Sequence, residues 1–168
     1  MNIKSTETKI RKFIETVPES LKTLPEEELS FKPNPDKWSK KELLGHLCDS
    51  AINNLSRFIK AQFEIKPFAV NTYDQDLWVK AAHYNDMTLN EVLSFWEAAN
   101  RNIINVISSY TPEMLQYECF LDGGDFGNYT KEEIPEYTAP NGMRTLHWLI
   151  DDYAAHMEYH LKQIPGLI

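Results

Sequence analysis

The sequence is poor in several things, and each shortage removes a class of function. No apolar run approaches the roughly 20 residues needed to cross a bilayer as a helix, so no membrane partner is expected. Basic residues are outnumbered: 17 Lys and Arg against 25 Asp and Glu give a formal net charge of −8. The positive residues are also scattered, which speaks against a nucleic-acid binder, since that needs clustered Lys and Arg. Cysteine is scarce. Cys48 and Cys119 are the only two, too few for a disulfide framework, and they read as reduced thiols in a cytoplasmic protein. The stretch Met1 to Glu7 is polar and is read as carrying no secretory signal. With 168 residues, 42% hydrophobic and 25% charged, the chain 1–168 is expected to form a single domain with a real core.

Strand-like alternation and internal repeats are lacking too. Apolar residues instead recur at steps of three and four, the period of a half-buried helix. Ile3, Ile10, Phe13, Ile14, Val17, Leu21 and Leu24 mark a first helix, which Pro18 is expected to kink or end. Pro25-Glu26-Glu27-Glu28 reads as one short helical turn, and residues 32–37 as loop. Ser39 and Glu42 form a capping box opening a second helix, with Leu43, Leu44, Leu47, Ala51, Leu55, Phe58 and Ile59 on its apolar face and an end near Lys66-Pro67. Asp74 to Ala82 reads as a short helix. Thr88 and Glu91 open a third long helix, whose stripe runs from Leu89 through Trp96 to Tyr110. Thr111-Pro112 starts a brief helix, followed by a long glycine-rich connection from Leu121 to Asn141. A last helix is expected from about Met143 to Ile164. Four long amphipathic helices in one domain imply an all-α four-helix bundle with long irregular connections and short extra helices.

The chemistry is concentrated in histidines. His156 and His160 stand four residues apart in the last helix. That spacing puts two imidazoles on neighbouring turns of one face, where both reach a single cation. His160 falls within the apolar stripe and His156 at its edge. Burying two imidazoles without partners is costly, and a cation removes that cost. His46 falls on the polar side of its helix with Ser50, Asn53 and Arg57, so periodicity alone makes it solvent-facing. It can meet His160 only if the start of its helix lies beside the end of the last one, which makes the two antiparallel. His147 points away from His156. His83 lies in a connection. Asp49 is either an acceptor orienting an imidazole or a solvated carboxylate, and Asp152 and Tyr153 are further candidates for acid–base work.

Other motifs carry less. A zinc-protease helix needs Glu directly after its first histidine, and Met157 stands there. The run Gly123 to Gly127 has no following Lys-Ser/Thr, so it is turn chemistry rather than a phosphate loop. Cys48 on an apolar face reads as core. Trp38, Trp78, Trp96 and Trp148 read as packing residues, with Trp78 placed to wall a pocket.

The run from Lys32 to Leu47, with Trp38-Ser39 ahead of His46, resembles the corresponding motif of DinB/YfiT-like proteins. The closing run from His156 to Ile164 resembles their histidine-bearing last helix. The resemblance implies a four-helix bundle in which His46, His156 and His160 hold a divalent metal such as nickel, zinc or iron. It also implies a homodimer and a small-molecule substrate. Relatives are described as metal-dependent hydrolases or as S-transferases using a low-molecular-weight thiol. From another class, a non-catalytic stress-linked metal- or ligand-binding protein fits the same residues, as does a structural bundle with adventitious metal binding. No clear fourth ligand is legible, which favours an open site.

Overall fold

A computed structural model describes residues 3–121 and 143–168. Four long helices dominate: α1 (Lys4–Leu21), α3 (Lys40–Lys60), α5 (Leu89–Ile107) and α6 (Leu146–Lys162). Two short ones, α2 (Glu26–Ser30) and α4 (Gln75–Ala82), lie in the connections, with 3-10 turns at Tyr84–Asp86 and Met114–Gln116. The architecture is the expected all-α four-helix bundle. Its shared core includes Ile10 and Val17 of α1, Leu44 and Leu47 of α3, Trp96 and Ile103 of α5, and Leu146 and Met157 of α6. No helix among the described residues is long and apolar enough to cross a membrane.

Local chemistry sets the helix starts. Both capping boxes form: the Ser39 hydroxyl accepts from the Glu42 N–H while Glu42 accepts from the Ser39 N–H, and Thr88 and Glu91 repeat the arrangement. Each such cap contributes about 0.5–2 kcal/mol. Asp74 caps α4 through the Leu77 N–H at 2.9 Å.

Three boundaries differ from the sequence reading. The first helix continues past Pro18 to Leu21. Proline removes the N–H that would bond the Ile14 carbonyl, while burial of Val17, Pro18 and Leu21 holds this last turn against the core. Helix α3 ends at Lys60 rather than near Pro67, because the chain leaves the helix axis to place Phe68 and Val70 in the core. The last helix starts at Leu146, capped by the Thr145 hydroxyl accepting from the Trp148 N–H at 3.2 Å.

The sequence showed no strands, yet a small sheet is present. Its strands are β1 (Phe68–Val70), β2 (Glu118–Leu121) and β3 (Met143–Thr145), in the order β1-β2-β3. β1 and β2 are parallel, with Phe68 opposite Cys119; β2 and β3 are antiparallel, with Cys119 opposite Arg144. Strands of three or four residues are too short for alternation to register. The glycine-rich connection after Leu121 lies outside the described residues.

Helices α3 and α6 run antiparallel where they touch, as the histidine argument required. The His46 and His160 rings are 4.6 Å apart, Ser50 Oγ lies 3.4 Å from His156 Nδ1, and the Phe58 and Tyr153 rings are 6.1 Å apart. Residue numbers rise along α3 as they fall along α6.

Candidate metal centre

Three imidazoles converge at this crossing. His46 comes from the second turn of α3, and His156 and His160 from the last turns of α6. One nitrogen from each lies within 4.8 Å of the others. The Nε2 atoms of His46 and His156 are 3.2 Å apart. Two nitrogens each about 2.0–2.1 Å from one cation, at ordinary coordination angles, sit about 3–3.4 Å apart. Among the described residues no fourth His, Cys, Asp or Glu joins the cluster.

The environment keeps these rings neutral. His46 is fully buried and His160 nearly so, while His156 is half-buried. Burial first, and the neighbouring His160 second, push His46 down to about 3. Burial pushes His160 down to about 4, with the Gln163 amide opposing. His156 is driven well below the usual imidazole range by burial, then by His160, His46 and Arg57. Neutral imidazole is the form that donates a lone pair to a cation. The Nδ1 atoms of His46 and His160 are buried without a hydrogen-bond partner among the described residues. The donor set therefore fits a divalent transition metal.

His46 corrects the periodicity reading. It was expected to face solvent and is fully buried, because α3 buries two faces rather than one. Asp49, Ser50 and Asn54 on its polar side are buried with it. Gly45 explains part of this: a Cβ there would stand 2.1 Å from the Tyr84 ring, so only glycine lets that ring settle against α3. The Tyr84 hydroxyl then donates to Asp49 at 2.6 Å. Asp49 is thus neither a solvated carboxylate nor hydrogen-bonded to an imidazole. Burial raises its affinity for protons, with the Tyr84 hydrogen bond opposing.

The remaining candidates separate clearly. The Tyr153 hydroxyl donates to Asn100 at 2.6 Å inside the core, away from acid–base work. Asp152 lies one turn before His156; burial pushes its carboxyl up to about 6 against the pull of Arg57 and Arg144. His147 lies beside Asp151 at 3.6 Å, and His83 is exposed beside Asp86. Cys48 is buried and donates weakly to the Val92 carbonyl, as a core thiol does.

Two supporting residues were read in the sequence only as packing or as a polar-side neighbour. Trp38 lies with its ring 4.8 Å from that of His46 and 6.2 Å from that of His160. It also lines a surface groove of about 640 Å³ with Tyr84, Lys80 and His83. Ser50 reaches His156 Nδ1 and is itself held by the Asn54 amide at 3.0 Å to its carbonyl. The four-residue step from His46 to Ser50 was the available signal. Trp78, read as a possible wall, packs on Tyr73 with ring centroids 5.0 Å apart.

Fold and donor set together define a class: helical bundles that gather three histidines from two antiparallel helices. The model of the DinB superfamily matches residues 10–164, and the chain belongs to that superfamily. Among solved structures it is similar to YfiT from Bacillus subtilis, described as a probable metal-dependent hydrolase with an unusual four-helix bundle topology. That likeness covers 99% of this chain and 88% of the other, with a TM-score of 0.73 and 18% identity. Among curated proteins, none matches this sequence.

Proposed function

We propose that His46, His156 and His160 hold a divalent cation (nickel, zinc or iron) and that the protein is a metal-dependent enzyme acting on a small molecule. The carrying observation is the convergence of three neutral, largely buried imidazoles with no fourth protein donor among the described residues. Such a cation lowers the pKa of a water or thiol that it binds, supplying a nucleophile at neutral pH. Water as the nucleophile gives hydrolysis, and a low-molecular-weight thiol gives S-transfer to an electrophile.

The chain's own residues set up that chemistry. Three imidazoles add no negative charge, so they would leave the charge of a bound cation largely uncompensated. Ser50 orients His156 from its far nitrogen, the usual way a supporting group fixes a ligand. Trp38 packs against the His46 ring and also lines the outer groove. The reading takes the chain as one domain with one such centre. Similarity to a protein described as a probable metal-dependent hydrolase supports it.

The test is metal removal and return. Protein stripped with a chelator and reloaded with nickel, zinc or iron is offered ester and amide substrates alone, then electrophiles with a small thiol. Turnover that disappears on stripping and returns with one metal supports the reading, and the panel that responds assigns the nucleophile. Stoichiometric metal with no metal-dependent turnover in either panel would favour a binding protein instead.

A further inference from the structure

The candidate ligands are held in different ways. His156 Nδ1 lies 3.4 Å from Ser50 Oγ, and the Asn54 amide holds Ser50 in turn. His46 Nδ1 is buried and has no hydrogen-bond partner among the described residues. A metal-binding imidazole usually has its second nitrogen tied to a neighbour, which fixes how the ring is turned about its side-chain bond. His46 lies against an indole instead. The Trp38 ring is 4.8 Å from that of His46 and tilted by 31°, whereas His156 and His160 meet the same ring edge-on, at 67° and 70°. Trp38 also lies 6.2 Å from the His160 ring, so one indole stands beside donors from both helices.

The backbone on either side of Trp38 is itself anchored. Before it, the Asn34 side chain accepts from the Asp36 N–H at 3.0 Å and the Asn34 carbonyl from the Lys37 N–H at 2.9 Å, which folds residues 34–37 into a turn. After it, Ser39 is buried as the cap of α3, and its hydroxyl donates to Asn85 Oδ1 at 2.8 Å. An apolar residue just ahead of a helix cap commonly packs back over the first turns of that helix. In α3 the second turn carries His46. The indole is half-buried against the core and also lines the outer groove with Val79 and Tyr84.

We propose that Trp38 is a positioning residue for the metal site: its indole fixes the plane of the His46 imidazole by ring contact, the role that Ser50 fills for His156 by hydrogen bonding. The inference rests on the metal site proposed above and deepens it. His46 is the donor that α3 brings to the site, and its Nε2 is 3.2 Å from that of His156. A ring free to turn about its side-chain bond would carry that nitrogen away from the shared position. Aromatic pairs with centroids about 4.5–7 Å apart gain from a flat partner beyond the area they bury. A phenyl ring at position 38 therefore keeps part of the effect, and an aliphatic side chain does not.

The experiment uses the whole chain loaded with cobalt(II), as wild type, Trp38→Phe, Trp38→Leu and Trp38→Ala. Cobalt affinity is measured by chelator competition, coordination geometry by the visible d–d absorption, and the urea midpoint on the metal-free proteins. Trp38→Leu and Trp38→Ala should bind cobalt about tenfold more weakly or worse, with an altered d–d spectrum. Trp38→Phe should restore the spectrum and bring the affinity within about threefold of wild type. A tryptophan that only packs would lower the urea midpoint of the Leu and Ala variants and leave cobalt affinity and spectrum unchanged, which overturns the proposal. Trp38→Phe binding no better than Trp38→Leu overturns it as well. If Trp38→Ala does not fold, the comparison of Phe with Leu decides. A wild-type protein that takes up no cobalt contradicts the proposed function, whereas cobalt bound alike by all four proteins overturns the role of Trp38 alone.

Discussion

Helix α3 has two buried faces that are built in opposite ways. One carries Leu44, Leu47, Cys48, Ala51 and Phe58, each at most 1% exposed, and Cys48 reaches the Val92 carbonyl of α5. The other carries His46, Ser50, Asn54 and Arg57, and meets the histidines and Asp152 of α6. Removal of apolar surface from water holds the first face, at about 25 cal/mol per Å². The second gains little from burial and depends on each polar atom finding a partner. The first face holds the helix in place, and the second holds chemistry that the first makes affordable.

The sharpest way to break this comparison is to truncate a histidine. His156→Ala should abolish stoichiometric metal binding, a larger loss than the roughly 10–100-fold expected when a supporting group is removed. The fold should survive, as read by circular dichroism and a cooperative urea transition. A variant that keeps its metal contradicts the ligand assignment.

The apolar face should show the reverse. Leu47→Ala should cost about 2–5 kcal/mol in urea unfolding through loss of burial and the cavity left behind. Metal content per folded chain should not change. A stability loss below about 1 kcal/mol would mean that this face packs less tightly than its burial implies.

Acid should separate the faces again. An unfolded histidine takes up a proton near 6.5, whereas His46 and His160 resist until about 3 and 4, and His156 shifts the same way. The unfolded state thus binds more protons, so the metal-free protein should lose stability as pH falls from 6.5 towards 4. Each net proton is worth about 1.4 kcal/mol per pH unit. Asp152 acts oppositely between its unfolded value of 3.8 and its folded value of about 6, and Asp49 shifts in the same sense. Asp152→Asn should therefore steepen the loss. A urea midpoint independent of pH across this window would contradict the burial of neutral imidazoles.

Smaller effects test the supports. Ser50→Ala should weaken metal binding by roughly tenfold in a chelator competition, with little change in the urea midpoint. Tyr84→Phe, which removes the hydroxyl from buried Asp49, should cost about 1–3 kcal/mol with metal stoichiometry kept.

The same two faces explain what was legible in the sequence. The apolar face announced itself by period, and Ser39-Glu42 and Thr88-Glu91 marked their helix starts because capping is local chemistry. His156 and His160 were legible from spacing alone. His46 was not, because a helical wheel equates polar with exposed and α3 buries its polar side. Resemblance to the DinB-like motif around Trp38-Ser39 placed it where periodicity could not. Gly45 carried a signal that only the Tyr84 ring explains. The strands at Phe68, Glu118 and Met143 were illegible because long-range pairing, with little help from local pattern, selects such short segments.

The central claim is that the polar face of α3 and the end of α6 together make one metal site. The most direct test is elemental analysis of tag-free protein purified in parallel with His46→Ala, His160→Ala and Leu47→Ala. The account predicts about one divalent metal per chain in the wild type and in Leu47→Ala, and none in either histidine variant. Metal retained in His46→Ala would contradict it, because that histidine is the donor that α3 brings to the site.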